Sequence, residues 1–222
     1  MSEQYGVKDM VFPLVVIDIS EKVKENVEYA VTVDDIKGFE AAYGDIPDGA
    51  FVALYTGWSR RWPDMDAISN FDQEGGEHFP GWSMEALRYI YEVRNAAANG
   101  HETLDTDASV LAARSGDLAC ERYLLDKGKL QVEVMCNLDQ DACGRSHCIA
   151  VFPPIEGATG LPVRMWAVVP EQVSAYNLWH SGEIRPWQMK PVLLFSGYAD
   201  GTACRRASYG NRDNVFILEQ PE

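Results

Sequence analysis

Three stretches near the start of the chain, taken in order, constrain its fold most. FPLVVIDIS (12–20) is rich in β-branched residues and reads as a buried strand. TVDDIKGFEAAYG (32–44) follows with helical spacing: Thr32 stands at the N-cap, and Asp34 and Asp35 fall in the first turn, where the helix dipole favours negative charge. Ile36, Phe39 and Tyr43 recur on one face, and Gly44 closes the helix. AFVALYTGW (50–58) is a second buried strand. Strand, helix and strand in succession point to an α/β domain.

The rest of the chain extends this pattern. SRRWPDMDAISNFDQEGGEHFPGW (59–82) is polar, broken by Pro and Gly, and long enough as a loop to carry function. SMEALRYIYEVRNAAANG (83–100) predicts a helix capped by Ser83, with Leu87, Ile90 and Tyr91 inward. HETLDTDASVL (101–111) is short and strand-like before turning polar, ACERYLLDKG (119–128) is helical, and LQVEVMCNL (130–138) is extended. HCIAVFPPIEG (147–157) and LPVRMWAVVP (161–170) read as a strand pair. The expectation is a mixed sheet with flanking helices over 1–170. After Pro170 the character changes, so 171–222 is read as an appended segment with two strands, at VLLF and VFIL, packing on the domain or on a partner.

A net charge of −15 over 222 residues repels phosphate backbones and anionic lipid, which argues against nucleic acid and membrane surfaces as partners. No run approaches the ~20 apolar residues of a membrane span, and MSEQYGVKDM has no secretory signature. A cytoplasmic location is expected. The five cysteines are odd in number, which argues against a disulfide framework. Cys136, Cys143 and Cys148 cluster beside His147, but without a Cys-x-x-Cys pair ordinary thiols explain them better than zinc.

In order along the chain, VVIDIS (15–20), DDIKGFEAAYGDIPDGAFVALYTGWSRRWPD (34–64), HFPGWSMEALRYI (78–90), LDTDAS (104–109), ERYLLDKG with EVMCNLD, and PPIEGATGLPVRMWAVV (153–169) resemble the cyclase family of metal-dependent hydrolases. That family includes bacterial kynurenine formamidase and isatin hydrolase. The resemblance covers about residues 12 to 170 and implies a cyclase-like fold of the swivelling β/β/α type. It also implies hydrolysis of amide or lactam bonds in small aromatic substrates, a divalent zinc or manganese ion, and a homo-oligomer.

The chain departs from the family in two ways. The family's N-terminal His-x-Gly-Thr-His-x-Asp-x-Pro-x-His motif has no counterpart, so the chain reads as N-terminally truncated relative to the family. Glu121 stands where the family places a histidine that binds metal or acts as acid–base catalyst, whereas Glu133 matches the family's acidic metal residue. Glu133 and Glu121 are therefore the expected metal ligands, with Glu121 a substitute acid–base group. The plainer alternatives are a solvated helix face for Glu121 and a pairing of Glu133 with Arg122. A wider set adding His78 and Cys120 is a further possibility. The resemblance also puts Trp58, Trp62 and Phe79 near the substrate; loop and core packing is the simpler account. His101 reads as structural. With imidazole ligands missing, two carboxylates would hold a cation weakly, leaving either an impaired hydrolase or a non-catalytic scaffold.

Overall fold

The computed structural model describes residues 5–140, 146–158, 160–170 and 189–196. The strands are β1 (Val11–Asp18), β2 (Ala30–Val31), β3 (Phe51–Tyr55), β4 (Gly81–Trp82), β5 (Ala98–His101), β6 (Leu130–Val132), β7 (Ser146–Val151), β8 (Val163–Pro170) and β9 (Met189–Ser196). The α-helices are α1 (Ser20–Glu25), α2 (Val33–Tyr43), α3 (Met65–Ser69), α4 (Met84–Arg88), α5 (Ser109–Ser115) and α6 (Ala119–Asp126). Seven strands form one mixed sheet in the order β6-β5-β3-β1-β7-β8-β9. β1, β3, β5 and β6 run parallel, and β7, β8 and β9 continue the sheet antiparallel. The two shortest strands, β2 and β4, pair separately.

Alternation along β1 and β3 explains why both read as unbroken apolar runs. Val15, Ile17, Val52 and Leu54 face one core with Ile36, Trp82, Leu87, Ile90 and Leu124 from the helical side. Leu14, Val16, Phe51 and Ala53 face a second core with Met135, Cys148, Met165 and Ala167. A strand buried on both faces has no polar side to show. Thr32 caps α2 as expected, its hydroxyl accepting from Asp35 N.

The sequence reading of 83–111 needs correction. The helix from Ser83 ends as a π-helical turn at Tyr89–Val93, and Asn95 adopts a left-handed φ of 52°. Residues 98–101 are a central strand, and 109–115 are helical. Gly100 is no helix cap. A side chain there would meet Phe51 Cζ and Val132 O at 2.8 Å, so a glycine is required for β5 to approach its neighbours. Four residues of Ala, Asn, Gly and His carry too little periodicity to be read as a strand. The stretch 59–82 is not only loop; it holds a 3₁₀ turn at Trp58–Arg61, then α3 and β4.

In the C-terminal segment, β9 pairs with β8 from Val163↔Ser196 to Pro170↔Met189, which places VLLF within a strand. VFIL lies outside the described residues. Among the described residues, no helix is long and apolar enough to cross a membrane.

Candidate active site

The parallel strands all end at one edge of the sheet, and the loop after β5 builds the site there. Asp107, 1% exposed, sends its carboxylate back to the start of α6. Its Oδ1 and Oδ2 accept from Cys120 N at 2.9 and 3.1 Å, and Oδ2 accepts from Glu121 N at 3.1 Å. Leu118, the N-cap of α6, has no side chain able to do this, so Asp107 serves as a cap supplied from another loop. Gly81 makes that loop possible: a Cβ there would stand 2.6 to 2.7 Å from backbone atoms of Thr106, Asp107 and Ala108.

Glu133 enters from the end of β6. The pleat places Gln131 and Glu133 on the same side of the strand, and Gln131 Nε2 donates to Glu133 Oε1 at 2.9 Å. The next residue, Val134, has φ 52°, a left-handed conformation strained for a β-branched side chain. It is held by backbone bonds from Val134 N to Thr103 O (3.2 Å) and from Met135 N to His101 O (2.9 Å). The chain therefore turns sharply just after Glu133.

Glu121 and Glu133 stand among crowded carboxylates and share Asp105 as a charged neighbour. Burial, then the charges of Glu121 and Asp105, push the Glu133 carboxyl up to about 7. Burial, then Asp105 and Asp107, raises Glu121. Asp105 is raised by burial and by Asp107, and Glu77 by burial and by Asp105. Carboxylates crowded in this way are relieved by a proton or a cation. Asp105, Asp107 and Gln131 were not singled out in the sequence. The signals were there: LDTDAS sets two aspartates around one threonine after a strand, and LQVE puts Gln131 and Glu133 two apart.

The other expected residues are dispersed. Trp58 is 2% exposed and donates from Nε1 to Ile68 O at 2.9 Å; Phe79 is equally buried, so both belong to the core. Trp62 lines a cavity of about 260 Å³ with Tyr55, Ser59, Arg60, Cys136, Asn137 and Asp139. His78 sits apart, with Nδ1 3.1 Å from Glu28 and Nε2 3.0 Å from Asp72. Arg122 pairs with Asp117, not with Glu133. Cys120 is buried, its thiol pushed up by burial and by Asp107, which disfavours the thiolate a metal needs. Cys136 is disulfide-bonded, contrary to the expectation of free thiols, while Cys120 is a buried free thiol. His147 is exposed and Cys148 buried on opposite faces of β7, which separates the zinc candidates; Cys143 lies outside the described residues.

An α/β fold with carboxylates gathered at the carboxyl end of its parallel strands has them where open α/β sheets bind their ligands. The cyclase family model matches residues 2–108 of this chain. It is 30% identical over 170 residues to isatin hydrolase of Roseibium aggregatum, covering 77% of this chain and 64% of that protein. Its fold is similar to isatin hydrolase A from Labrenzia aggregata bound to benzyl benzoate, at 32% identity and TM-score 0.68 over 76% of this chain and 64% of that one. It is also similar to isatin hydrolase A from Ralstonia solanacearum, at 32% identity and TM-score 0.67 over 75% and 63%. A third similar structure, an isatin hydrolase bound to the product analogue thioisatinate, gives TM-score 0.70 at 28% identity over 77% and 64%. The chain thus spans less than two thirds of these relatives' length.

The resemblance to this metal-dependent family implies a divalent cation. Glu121 and Glu133 fit in charge and in oxygen donors. Among the described residues no group of three or more His, Cys, Asp or Glu side chains converges to complete a coordination sphere.

Proposed function

We propose that the chain carries the carboxylate side of a cyclase-type hydrolase site, acting on an amide or lactam bond of a small aromatic substrate. The observation that supports this most is the crowding of carboxylates at the strand ends, where the charges of Glu121 and Asp105 add to burial in raising the Glu133 carboxyl. Glu133 and Glu121 are the residues that would hold a divalent zinc or manganese ion. When bound there, such a cation supplies Lewis acidity and lowers the pKa of its water toward neutrality. Asp107 fixes the first turn of α6 and with it Glu121; Gln131 fixes one oxygen of Glu133. With its carboxyl near 7, Glu133 can also exchange a proton at working pH.

The 222-residue chain is impaired by itself, because the family's paired imidazoles are not present in their spacing. A scaffold role is the second reading, favoured by the glutamate at 121 in place of the family's histidine. The test is hydrolysis of isatin and of N-formylkynurenine with added Zn²⁺ or Mn²⁺, comparing the chain with Glu133→Gln. Slow metal-stimulated turnover lost in the variant supports the hydrolase; no turnover with either substrate and either metal supports the scaffold.

A further inference from the structure

The turn after β3 is fixed from inside by a carboxylate that the proposed hydrolysis does not use. Glu102, 1% exposed, directly follows β5. Its Oε2 accepts from Thr56 N at 2.8 Å, Thr56 Oγ1 at 2.7 Å and Trp58 N at 3.1 Å, and its Oε1 accepts from Ser59 Oγ at 2.6 Å. Two residues on, Arg61 donates to Ala67 O at 2.7 Å and to Asn70 Oδ1 at 3.1 Å, and its guanidinium lies 3.7 Å from the centre of the Trp58 ring. Ser59 and Arg61 are thus satisfied within the protein. Arg60, between them, is exposed and reaches the cavity of about 260 Å³.

Donors dominate that wall. Arg60 Nη2 donates to Tyr55 Oη at 2.7 Å, and Arg60 makes no ion pair among the described residues. Because Tyr55 Oη accepts there, its own proton is left over, and it meets no acceptor among the described residues. Burial raises the Tyr55 hydroxyl above its usual range, so it keeps that proton at neutral pH. Tyr55 is 7% exposed, so the unmade bond carries a cost that an acceptor inside the cavity removes. Trp62 adds a flat aromatic wall, and Asp139 is the one carboxylate among the lining residues. None of Glu121, Glu133, Asp105 or Asp107 lines this cavity. Tyr55 belongs to the second core with Val132, whereas Gln131 and Glu133 leave β6 on the side opposite Val132.

We infer that this cavity is a second binding site, for a small aromatic carboxylate that carries a hydroxyl or amine on its ring. Arg60 and the Tyr55 hydroxyl hold the carboxylate, which accepts from both. Trp62 lies along the ring, and Asp139 accepts from the ring substituent. A volume of about 260 Å³ falls below the ~300–1,000 Å³ of sites for drug-sized ligands, so the ligand has one ring. Glu102 acts as a positioning residue, since four hydrogen bonds to it set the turn from which Arg60 and Trp62 project. The site needs neither a cation nor turnover, so it stands or falls apart from the proposed hydrolysis.

The test titrates 4-hydroxybenzoate into the ¹⁵N-labelled, EDTA-treated chain at pH 7.5 and follows the indole ¹H–¹⁵N signals, with Trp62→Phe identifying the one at the cavity. The expected result is a saturable shift of the Trp62 signal with a Kd in the millimolar range, as suits a ligand of about ten heavy atoms. Arg60→Met should weaken binding about tenfold or more, and Tyr55→Phe several-fold, while Glu133→Gln leaves it unchanged. Benzoate should bind more weakly than 4-hydroxybenzoate, and the uncharged 4-hydroxybenzamide at least tenfold more weakly. Arg60 is exposed, so Arg60→Met keeps the fold, and the other indole signals report this; it decides alone should Tyr55→Phe fail to fold. A Trp62 signal that does not move, or an affinity undiminished in Arg60→Met or with the amide, overturns the inference. Binding lost in Glu133→Gln but kept in Arg60→Met also overturns it, by moving the ligand to the other carboxylates. A chain inactive toward every substrate would defeat the proposed function and leave this result standing.

Discussion

Replacing Glu133 by glutamine should make the protein more stable, but only at high pH. The folded carboxyl titrates at about 7, against an ordinary value of 4.5, chiefly because burial disfavours its charge and Glu121 repels it. The folded value lies above the unfolded one. The stability this group contributes is therefore fully present below about 4.5 and lost as pH rises through about 7. A shift of that size corresponds at ~1.4 kcal/mol per unit to an upper bound of about 3 kcal/mol. Glu133 keeps part of its surface in water, and solvent screening reduces the figure to about 1–2 kcal/mol. Glutamine has nearly the same shape, still accepts from Gln131, and never ionises. At pH 8 in EDTA, Glu133→Gln should raise stability by about 1–2 kcal/mol in urea unfolding, or about 3–6 °C in midpoint temperature. At pH 4 the two proteins should unfold alike. A variant no more stable than wild type at pH 8, or one equally stabilised at pH 4, would refute the reasoning.

Other perturbations test the surrounding frame. Asp107→Ala removes the cap on α6 and should cost about 1–2 kcal/mol in urea unfolding; an unchanged midpoint would show that the cap carries no stability. Gly81→Ala forces a Cβ to 2.6 Å from backbone and should cost about 3 kcal/mol or more, read as a fall in midpoint temperature. His78 is raised by Asp72 and Glu28, and Asp72 is lowered to about 2 by His78 and the loop amides. The His78 contribution is complete below about 6.5 and lost as pH rises through its folded value. Limited proteolysis of the 70–78 loop should therefore be faster at pH 8.5 than at pH 6, and His78→Ala should abolish that difference.

The parallel core was legible because its signals are local and redundant. A run such as LVVID declares a doubly buried strand, and Thr32 with Asp35 declares a helix start. β5 was hidden because its residues are chosen for size against Phe51 and Val132, not for strand propensity. The pair Glu121 and Glu133 was visible through the family resemblance. Their partners were not, because Asp107 and Gln131 act through backbone amides and a side-chain amide whose positions exist only after folding. The three aromatics part for the same kind of reason. Trp58 opens the turn at Trp58–Arg61 and is buried, Trp62 just after it lines a cavity, and Phe79 is buried in the core.

The proposed site depends on Glu121 and Glu133 drawing a cation together. Calorimetric titration of Mn²⁺ and Zn²⁺ into the EDTA-treated chain addresses this directly, with Glu133→Gln and Glu121→Gln alongside. Saturable, weak binding that disappears in Glu133→Gln and weakens in Glu121→Gln is the predicted result. Binding of undiminished affinity in both variants, or no binding to the wild-type chain, would contradict it.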